Sequence, residues 1–290
     1  MMMFDLSGSL GRIRVKGANR VDFLQRMSTG DLLSMSVGEG RATVFVTPIG
    51  RMVDHAAVLT LDDSLLMLTS YADGRLLRWL RKYIFFNDDV QLSDETQTSR
   101  LFGIFGERAA DFVAGLSNSA TQLARYGHVS VGGGMLIGAL ALEGAGFYLL
   151  SDIDSINSHG VLNPLSQYHD LRIRAGYPAA PQEINEDYIP LEAGVLSAIS
   201  FSKGCYVGQE IIARMESRGQ LAKRLMRLES EQVMTAGEAL TVDGSNAGKV
   251  TSVTSDGHAG LGYVRSAFAR AGQQISAGEV IVSVVDSAGM

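Results

Sequence analysis

The sequence predicts an α+β fold, in which mixed lobes of strands and single helices are followed by a small antiparallel β-barrel or sandwich. Three observations carry that expectation. Strand-sized apolar runs alternate with single amphipathic helices in an irregular order, which argues against a doubly wound parallel sheet. The last stretch of about 70 residues, from Leu225 onward, holds only strand-sized runs separated by glycine-containing turns. A chain of 290 residues, 46% hydrophobic and 19% charged, can bury a real core over about two or three domains.

In chain order, residues 11–15 read as a strand and residues 18–27 as a short helix, with Val21, Leu24 and Met27 on one side and Asn19 as its cap. Residues 40–48 and 52–61 are β-rich runs joined by Thr47-Pro48-Ile49-Gly50, whose proline and glycine mark a hairpin turn. Residues 65–69 add a strand, and residues 73–83 a helix whose face is Leu76, Leu77, Leu80 and Ile84. The pattern restarts after Asn87, with strands near 90–92 and 101–105, a helix over 107–116, and strands at 129–131, 136–142 and 147–150. Gly132-Gly133-Gly134 reads as a hairpin turn, because a phosphate cradle would need a Gly-Lys-Ser/Thr ending and a helix start after it. Residues 155–176 are weakly helical and are stopped by Gly176 and Pro178. Strands at 239–242, 247–253, 260–264 and 280–284 complete the chain, and Arg218-Gly219-Gln220 marks the expected boundary between a body (1–218) and the barrel (219–290).

Composition narrows the chemistry. With 31 acidic against 25 basic side chains the net charge is −6, which excludes general electrostatic binding of nucleic acid and leaves room only for a local basic groove. One cysteine cannot close an internal disulfide, and with five histidines it does not supply a structural zinc or iron–sulfur ligand set from one chain. The first eleven residues lack a basic n-region and a long apolar run, and no stretch approaches the roughly 20 apolar residues of a membrane span. The expectation is a soluble, cytoplasmic protein.

Unusual residues concentrate in residues 200–214, Ser-Phe-Ser-Lys-Gly-Cys-Tyr-Val-Gly-Gln-Glu-Ile-Ile-Ala-Arg. The run reads as a strand end, a glycine turn and a helix that turns Ile211 and Ile212 inward, with Gln209, Glu210 and Arg214 in polar positions. Cys205 is then expected near a helix N-terminus and beside Lys203, where dipole and ammonium both favour a thiolate. Two plainer readings stand beside it: an inert buried cysteine, and an ordinary surface ion pair between Glu210 and Arg214. Asp62-Asp63 and Asp88-Asp89 read as loop carboxylates facing water. Asp54 interrupts an apolar strand, so it lines a cavity or sits at the sheet margin, and pattern alone favours the margin. No pair of the five histidines carries the spacing of a zinc hydrolase.

Lys203-Gly204-Cys205-Tyr206-Val207-Gly208-Gln209-Glu210 resembles the signature of the folate-binding YgfZ family, which is related to the aminomethyltransferase of the glycine cleavage system. The upstream stretches at 171–178 and 189–194 (Ile-Pro-Leu-Glu-Ala-Gly) are similar to that family's lead-in. The resemblance implies interlocked lobes around a central folate-binding hole, a C-terminal antiparallel β-barrel, and tetrahydrofolate or a one-carbon derivative as cofactor. It implies a part in assembly or repair of iron–sulfur proteins, including enzymes that thiolate transfer RNA. The partners are then folate and iron–sulfur client or assembly proteins, with no direct nucleic acid, no membrane, and a monomer or weak dimer. Cys205 inherits the functional thiolate, in a setting of Lys203, Gly204, Tyr206, Gly208, Gln209, Glu210 and Arg214.

Residues 47–54 are similar to the stretch that holds the catalytic Asp in the aminomethyltransferase relatives, which moves Asp54 to the cavity. Those relatives have two adjacent acids where this chain has Asp54-His55, and an Asn-Ala pair where it has Thr69-Ser70. Glu143 is similar in position to the Glu that reads the pterin ring, a contact chemically apt because two parallel N–H donors meet two carboxylate oxygens. The expected cofactor contacts are thus Asp54, Glu143, Lys203, Tyr206 and Arg214, with Lys203, Arg214 or Arg218 toward the glutamate tail. The alternative function is a folate-dependent one-carbon transferase or demethylase in which Asp54 orients or deprotonates the amine.

Overall fold

The computed structural model describes residues 1–152 and 161–289, so the first part of the helical stretch expected at 155–176 lies outside the described residues. The chain divides into two compact units, one of residues 1–46, 53–165 and 198–207, the other of residues 47–52, 166–197 and 208–290. In order, the first part of the chain forms β1 (Met2–Asp5), β2 (Gly11–Lys16), α1 (Arg20–Met27), β3 (Gly40–Val46), β4 (Met52–Thr60), β5 (Leu65–Thr69), α2 (Arg75–Arg81), β6 (Gln91–Asp94), β7 (Ser99–Gly106), α3 (Ala109–Leu116), β8 (His128–Val131), β9 (Gly134–Gly138) and β10 (Ala145–Asp152).

The first unit holds two five-stranded sheets, of order β3-β4-β5-β2-β6 and β1-β7-β10-β9-β8. Apolar positions at helical spacing explain how the first is covered. Phe23, Leu24 and Met27 of α1 and Leu76, Leu77 and Leu80 of α2 join Val15, Phe45, Val58 and Met67 of the strands in one buried cluster. Burying each such side chain contributes about 1.5–3 kcal/mol, far more than the propensity of helices this short. Ala109 and Val113 of α3 pack in the same way with Phe102, Ile104, Leu136 and Phe147 of the second sheet.

Two local expectations change. Asn19 precedes α1 but makes no cap hydrogen bond there. Its Oδ1 instead accepts the Asp89 N–H at 2.9 Å, while Asp89 Oδ2 accepts the Ala18 N–H at 2.8 Å. Asp88 ion-pairs with Arg26 at 2.5 Å. The two adjacent acids therefore fasten the loop before β6 to the start and flank of α1, and the sequence pattern could not distinguish that work from plain solvation.

In the second unit, α4 (Leu165–Arg174) and α5 (Gln209–Arg218) accompany six strands: β11 (Lys223–Glu229), β12 (Ala239–Val242), β13 (Ser245–Val253), β14 (Ala259–Arg265), β15 (Gln274–Ala277) and β16 (Val280–Ser287). They close a barrel in the order β11-β14-β13-β12-β15-β16, antiparallel throughout. Met226, Leu228, Val250, Val264 and Val282 fill it. A buried network locks α4 onto this barrel: Arg172 donates to Glu183 Oε2 at 3.1 Å and to Ser252 Oγ at 2.9 Å, and the Ser252 hydroxyl donates to Glu183 Oε1 at 2.6 Å. Among the described residues no helix is long and apolar enough to cross a membrane.

The Thr47–Gly50 turn between β3 and β4 is built as the Pro and Gly imply. Gly50 N–H donates to Thr47 O at 2.8 Å, and Gly50 takes a φ of 76°. A side chain there would also meet Ile211 of α5 at 3.0 Å, so glycine is required twice over.

Candidate functional site

Asp54 sits on β4, an interior strand between β3 and β5, and is fully buried. The margin expectation is therefore corrected: the residue is at the heart of a sheet, between cluster members Val53 and Ala56. Its Oδ1 accepts the Ser70 N–H at 2.9 Å, whereas its Oδ2 is buried with no partner. Burial pushes its pKa well above the usual carboxylate range, against the pull of the Ser70 and His55 backbone N–H groups and of Arg75. A carboxyl of this kind, short of one hydrogen-bond partner, fits a heteroaromatic ring that presents N–H and amino donors.

Around it, the chain has already spent its neighbouring polar groups. The Ser70 hydroxyl donates to His55 O at 2.7 Å and the Thr69 hydroxyl to Tyr71 O at 2.8 Å, so both hydroxyl protons are committed to backbone carbonyls. Arg75 stacks 3.6 Å from the centre of the buried Tyr71 ring and is held by Asp73 at 2.7 Å. His55, next on the strand, points to the opposite face. It is neutral, because burial and then the Arg125 charge push its pKa down to about 3, and its Nε2 is unpartnered. Only one of two adjacent strand residues can serve a given face, so Asp54 and His55 do not act as a pair.

The segment 198–207 is stitched to the C-terminal end of α1. Ser200 N–H donates to Thr29 O at 2.9 Å, Val207 N–H to Arg26 O at 3.1 Å, and the Thr29 hydroxyl to Ala198 O at 2.6 Å. Lys203 is the main fastener: its ammonium donates to the carbonyls of Gln25 at 2.6 Å, Ser28 at 2.8 Å and Gly30 at 2.6 Å. A cation here also meets the negative end of the α1 dipole. Burial draws the Lys203 pKa down to about 8, with Asp31 opposing.

The expected setting of Cys205 is not the one that forms. All three ammonium donors of Lys203 are committed to carbonyls, and Cys205 precedes Gly208, the left-handed residue (φ 80°) that opens α5. Cys205 is exposed, so the inert-core reading falls as well, and Gly204 beside it has open space around its α-carbon. Tyr206 is buried under the motif, its hydroxyl pushed up to about 12 by burial, with Lys203 Nζ 5.3 Å from its ring centre.

Glu210 and Arg214 form an exposed i,i+4 pair at 2.9 Å on α5, as the plain surface reading holds, and Gln209 is the first residue of that helix. Glu143 is exposed in the turn before β10, and Arg218 is exposed at the end of α5. The motif thus divides: Asp54, Glu143, Lys203, Gly204, Cys205 and Tyr206 belong to the first unit, Gly208, Gln209, Glu210, Arg214 and Arg218 to the second. Glu192 is a further acid, in the second unit, to which the sequence pattern assigns no role. It is buried, its carboxyl accepts the Ile189 N–H at 3.2 Å, and burial raises its pKa. Its acid between Leu and Ala in a Pro-Leu-Glu-Ala-Gly run was the available signal.

The chain is similar to known proteins in both of its parts. Residues 1–141 match the model of the GCVT N-terminal domain, and residues 223–289 that of the CAF17 C-terminal beta-barrel domain. A putative chloroplastic transferase of Arabidopsis thaliana is 33% identical over 98% of this chain and 70% of its own length. The tRNA-modifying protein YgfZ of Sodalis glossinidius is 28% identical over 71% of this chain and 65% of its own. The aminomethyltransferase of Bacillus subtilis is 24% identical over 87% of this chain and 75% of its own. In structure, the aminomethyltransferase T of the glycine cleavage system from Bartonella henselae superposes with a TM-score of 0.82 at 19% identity, covering 98% of this chain and 84% of that one, which shows the fold.

Proposed function

The chain belongs to the YgfZ-like folate-binding family related to aminomethyltransferase, and from that premise we propose that it is a tetrahydrofolate-binding accessory protein for assembly or repair of iron–sulfur proteins, with Cys205 as its functional thiolate. The observation that carries the reading is the exposure of Cys205 on a loop that Lys203 holds rigid, in a chain with no other cysteine. Loop function on a fixed scaffold is the usual arrangement for a reactive residue. One thiolate cannot hold a cluster alone, so a cluster or sulfur species would be shared with a client or a second copy.

Asp54 supports the folate half of the proposal. Its unpartnered Oδ2 would hold the pterin, and the folate, when bound, would supply a nitrogen able to carry a one-carbon unit. A second reading, a one-carbon transferase, draws on the raised pKa of the same carboxyl, since a base nearer neutrality transfers protons more effectively. Against it stands the Thr69-Ser70 pair, whose hydroxyls are committed to backbone carbonyls.

Tetrahydrofolate titration separates these readings. Trp79 on α2, 6.3 Å from Phe45 and 4.7 Å from Tyr83, is the sole tryptophan and a reporter for the first unit. Cys205→Ala is expected to bind folate like the parent yet fail to restore iron–sulfur enzyme activity in a deletion strain. Asp54→Asn is expected to lose folate affinity about tenfold or more. Full restoration by Cys205→Ala would sink the thiolate role, and turnover of an amine to methylenetetrahydrofolate that Asp54→Asn abolishes would establish the transferase instead.

A further inference from the structure

The outer face of the barrel carries three cations that, among the described residues, have no carboxylate within ion-pair distance. Lys223 on β11 lies directly opposite Arg265 on β14, and Lys249 on β13 lies directly opposite Tyr263. Tyr263 and Arg265 are two apart on one strand, so Lys223, Arg265, Tyr263 and Lys249 share one face. That face is the outer one, since the alternate residues Met226, Val250 and Val264 fill the barrel. Lysine and arginine directly opposite on an antiparallel pair stand about 5 Å apart at Cβ and repel.

Several cations elsewhere are ion-paired. Arg14, Arg26, Arg75, Arg172, Arg174, Arg214 and Arg227 each have a carboxylate partner, in a chain of net charge −6. Among the described residues no ion pair reaches Lys223, Lys249 or Arg265. Lys223 Nζ lies 4.3 Å from the centre of the Tyr188 ring and 5.7 Å from that of Tyr263, and these rings stack at 3.4 Å. Its one hydrogen bond is a long one, to Asp187 O at 3.4 Å. Glu192 is within electrostatic reach of Lys223, but its carboxyl bonds the Ile189 N–H. The three cations border a cleft of about 460 Å³ with Tyr188, Tyr263 and Asn246. Asn246 Oδ1 accepts the Gly248 N–H at 2.9 Å, which leaves its amide group as a donor toward the cleft.

We propose that this cleft binds linked phosphate groups of a single ligand. A single small anion would answer one cation, whereas cations spread over three adjacent strands answer charges repeated along a chain. The planar guanidinium of Arg265 suits a phosphate's paired oxygens, and the lysines supply point charges on either side. Phosphates linked in this way occur in a single-stranded nucleic acid and in a free polyphosphate. The site uses residues of the second unit only and does not depend on the folate reading.

The test uses the full chain and two probes: a fluorescein-labelled single-stranded RNA oligonucleotide followed by anisotropy, and tripolyphosphate followed by calorimetry. Three cation contacts predict a log–log salt slope of about −2 for the RNA, at about −0.7 per phosphate. Lys249→Ala/Arg265→Ala should weaken both probes a hundredfold, about tenfold per cation, and bring the slope to about −0.7. Lys249→Arg/Arg265→Lys should retain most of the affinity. Circular dichroism melting at or above the parent's midpoint shows the variants folded. Tripolyphosphate binding without RNA assigns the site to a free polyphosphate, and mutual displacement of the probes assigns it to a strand. Failure of both probes to bind, or binding equal in parent and double variant, overturns the proposal.

Discussion

At the scale of single residues, Asp54 and His55 are neighbours in sequence with opposite acid–base consequences. His55 is neutral in the fold with a pKa of about 3, against 6.5 when exposed. As pH falls below 6.5 the unfolded chain takes up a proton that the fold refuses, so stability is lost from pH 6.5 down toward 3, at up to about 1.4 kcal/mol per pH unit. Asp54 runs the other way. Its folded pKa lies well above 3.8, so the unfolded chain ionises first as pH rises, and stability is lost from about pH 3.8 upward through the folded pKa. His55→Gln is therefore expected to flatten the acid limb of the stability curve, and the melting temperature of Asp54→Asn relative to the parent should climb between pH 4 and 8. Urea unfolding and thermal melts across that range check both. A parallel pH dependence in parent and Asp54→Asn would mean that the carboxyl is not held protonated. The orphaned oxygen raises this cost, and under the proposed function it is the atom that would hold the pterin, a pairing of instability with function that perturbed buried carboxyls can carry.

At the scale of elements, the motif loop shows what a sequence does and does not disclose. The octapeptide from Lys203 to Glu210 stands out in the sequence by its residue types, and the Thr47–Gly50 turn is legible because glycine and proline report backbone geometry directly. The role of Lys203 was not. Adjacency to Cys205 suggested an electrostatic activator, while the carbonyls it serves lie about 175 residues away in sequence, at the end of α1. Strands β1 and β15 are hard to read from sequence for a related reason: each has only four residues, too few for a pattern to establish a strand without the ladder a neighbour offers. Lys203→Met is accordingly expected to act on the fold first. Leaving buried carbonyls unpaired should cost about 3 kcal/mol, lower the melting temperature, and open the 198–207 loop to proteolysis. If stability held and only the pH profile of Cys205 alkylation moved, Lys203 would be a thiolate activator after all.

For the molecule as a whole, the decisive fact is that neither compact unit is continuous in sequence. Hydrophobic periodicity picks out β12, β13, β14 and β16, and the Arg218-Gly219-Gln220 stretch marks an expected boundary, but periodicity is local and cannot report which distant segments share a core. The second unit takes in residues 47–52 and 166–197 together with the barrel. Inside it, Tyr263 Oη donates to Glu183 O at 2.8 Å, Leu225 N–H to Glu192 O at 2.8 Å, and Met52 N–H to Tyr188 O at 3.0 Å. A chain ending at 218 would keep Arg172 and Glu183 while losing Ser252, and would keep Tyr188 while losing its stacking partner Tyr263. Removing one part of a buried charged network costs about 3–5 kcal/mol, a large share of the 5–15 kcal/mol that holds a typical domain. The fragment 1–218 is therefore expected to be digested by protease through residues 166–197 under conditions where the full chain resists, even if its first unit retains the Trp79 fluorescence of the parent. A fragment 1–218 that resists digestion throughout and melts as cooperatively as the full chain would show that the barrel is dispensable to the segment packed on it.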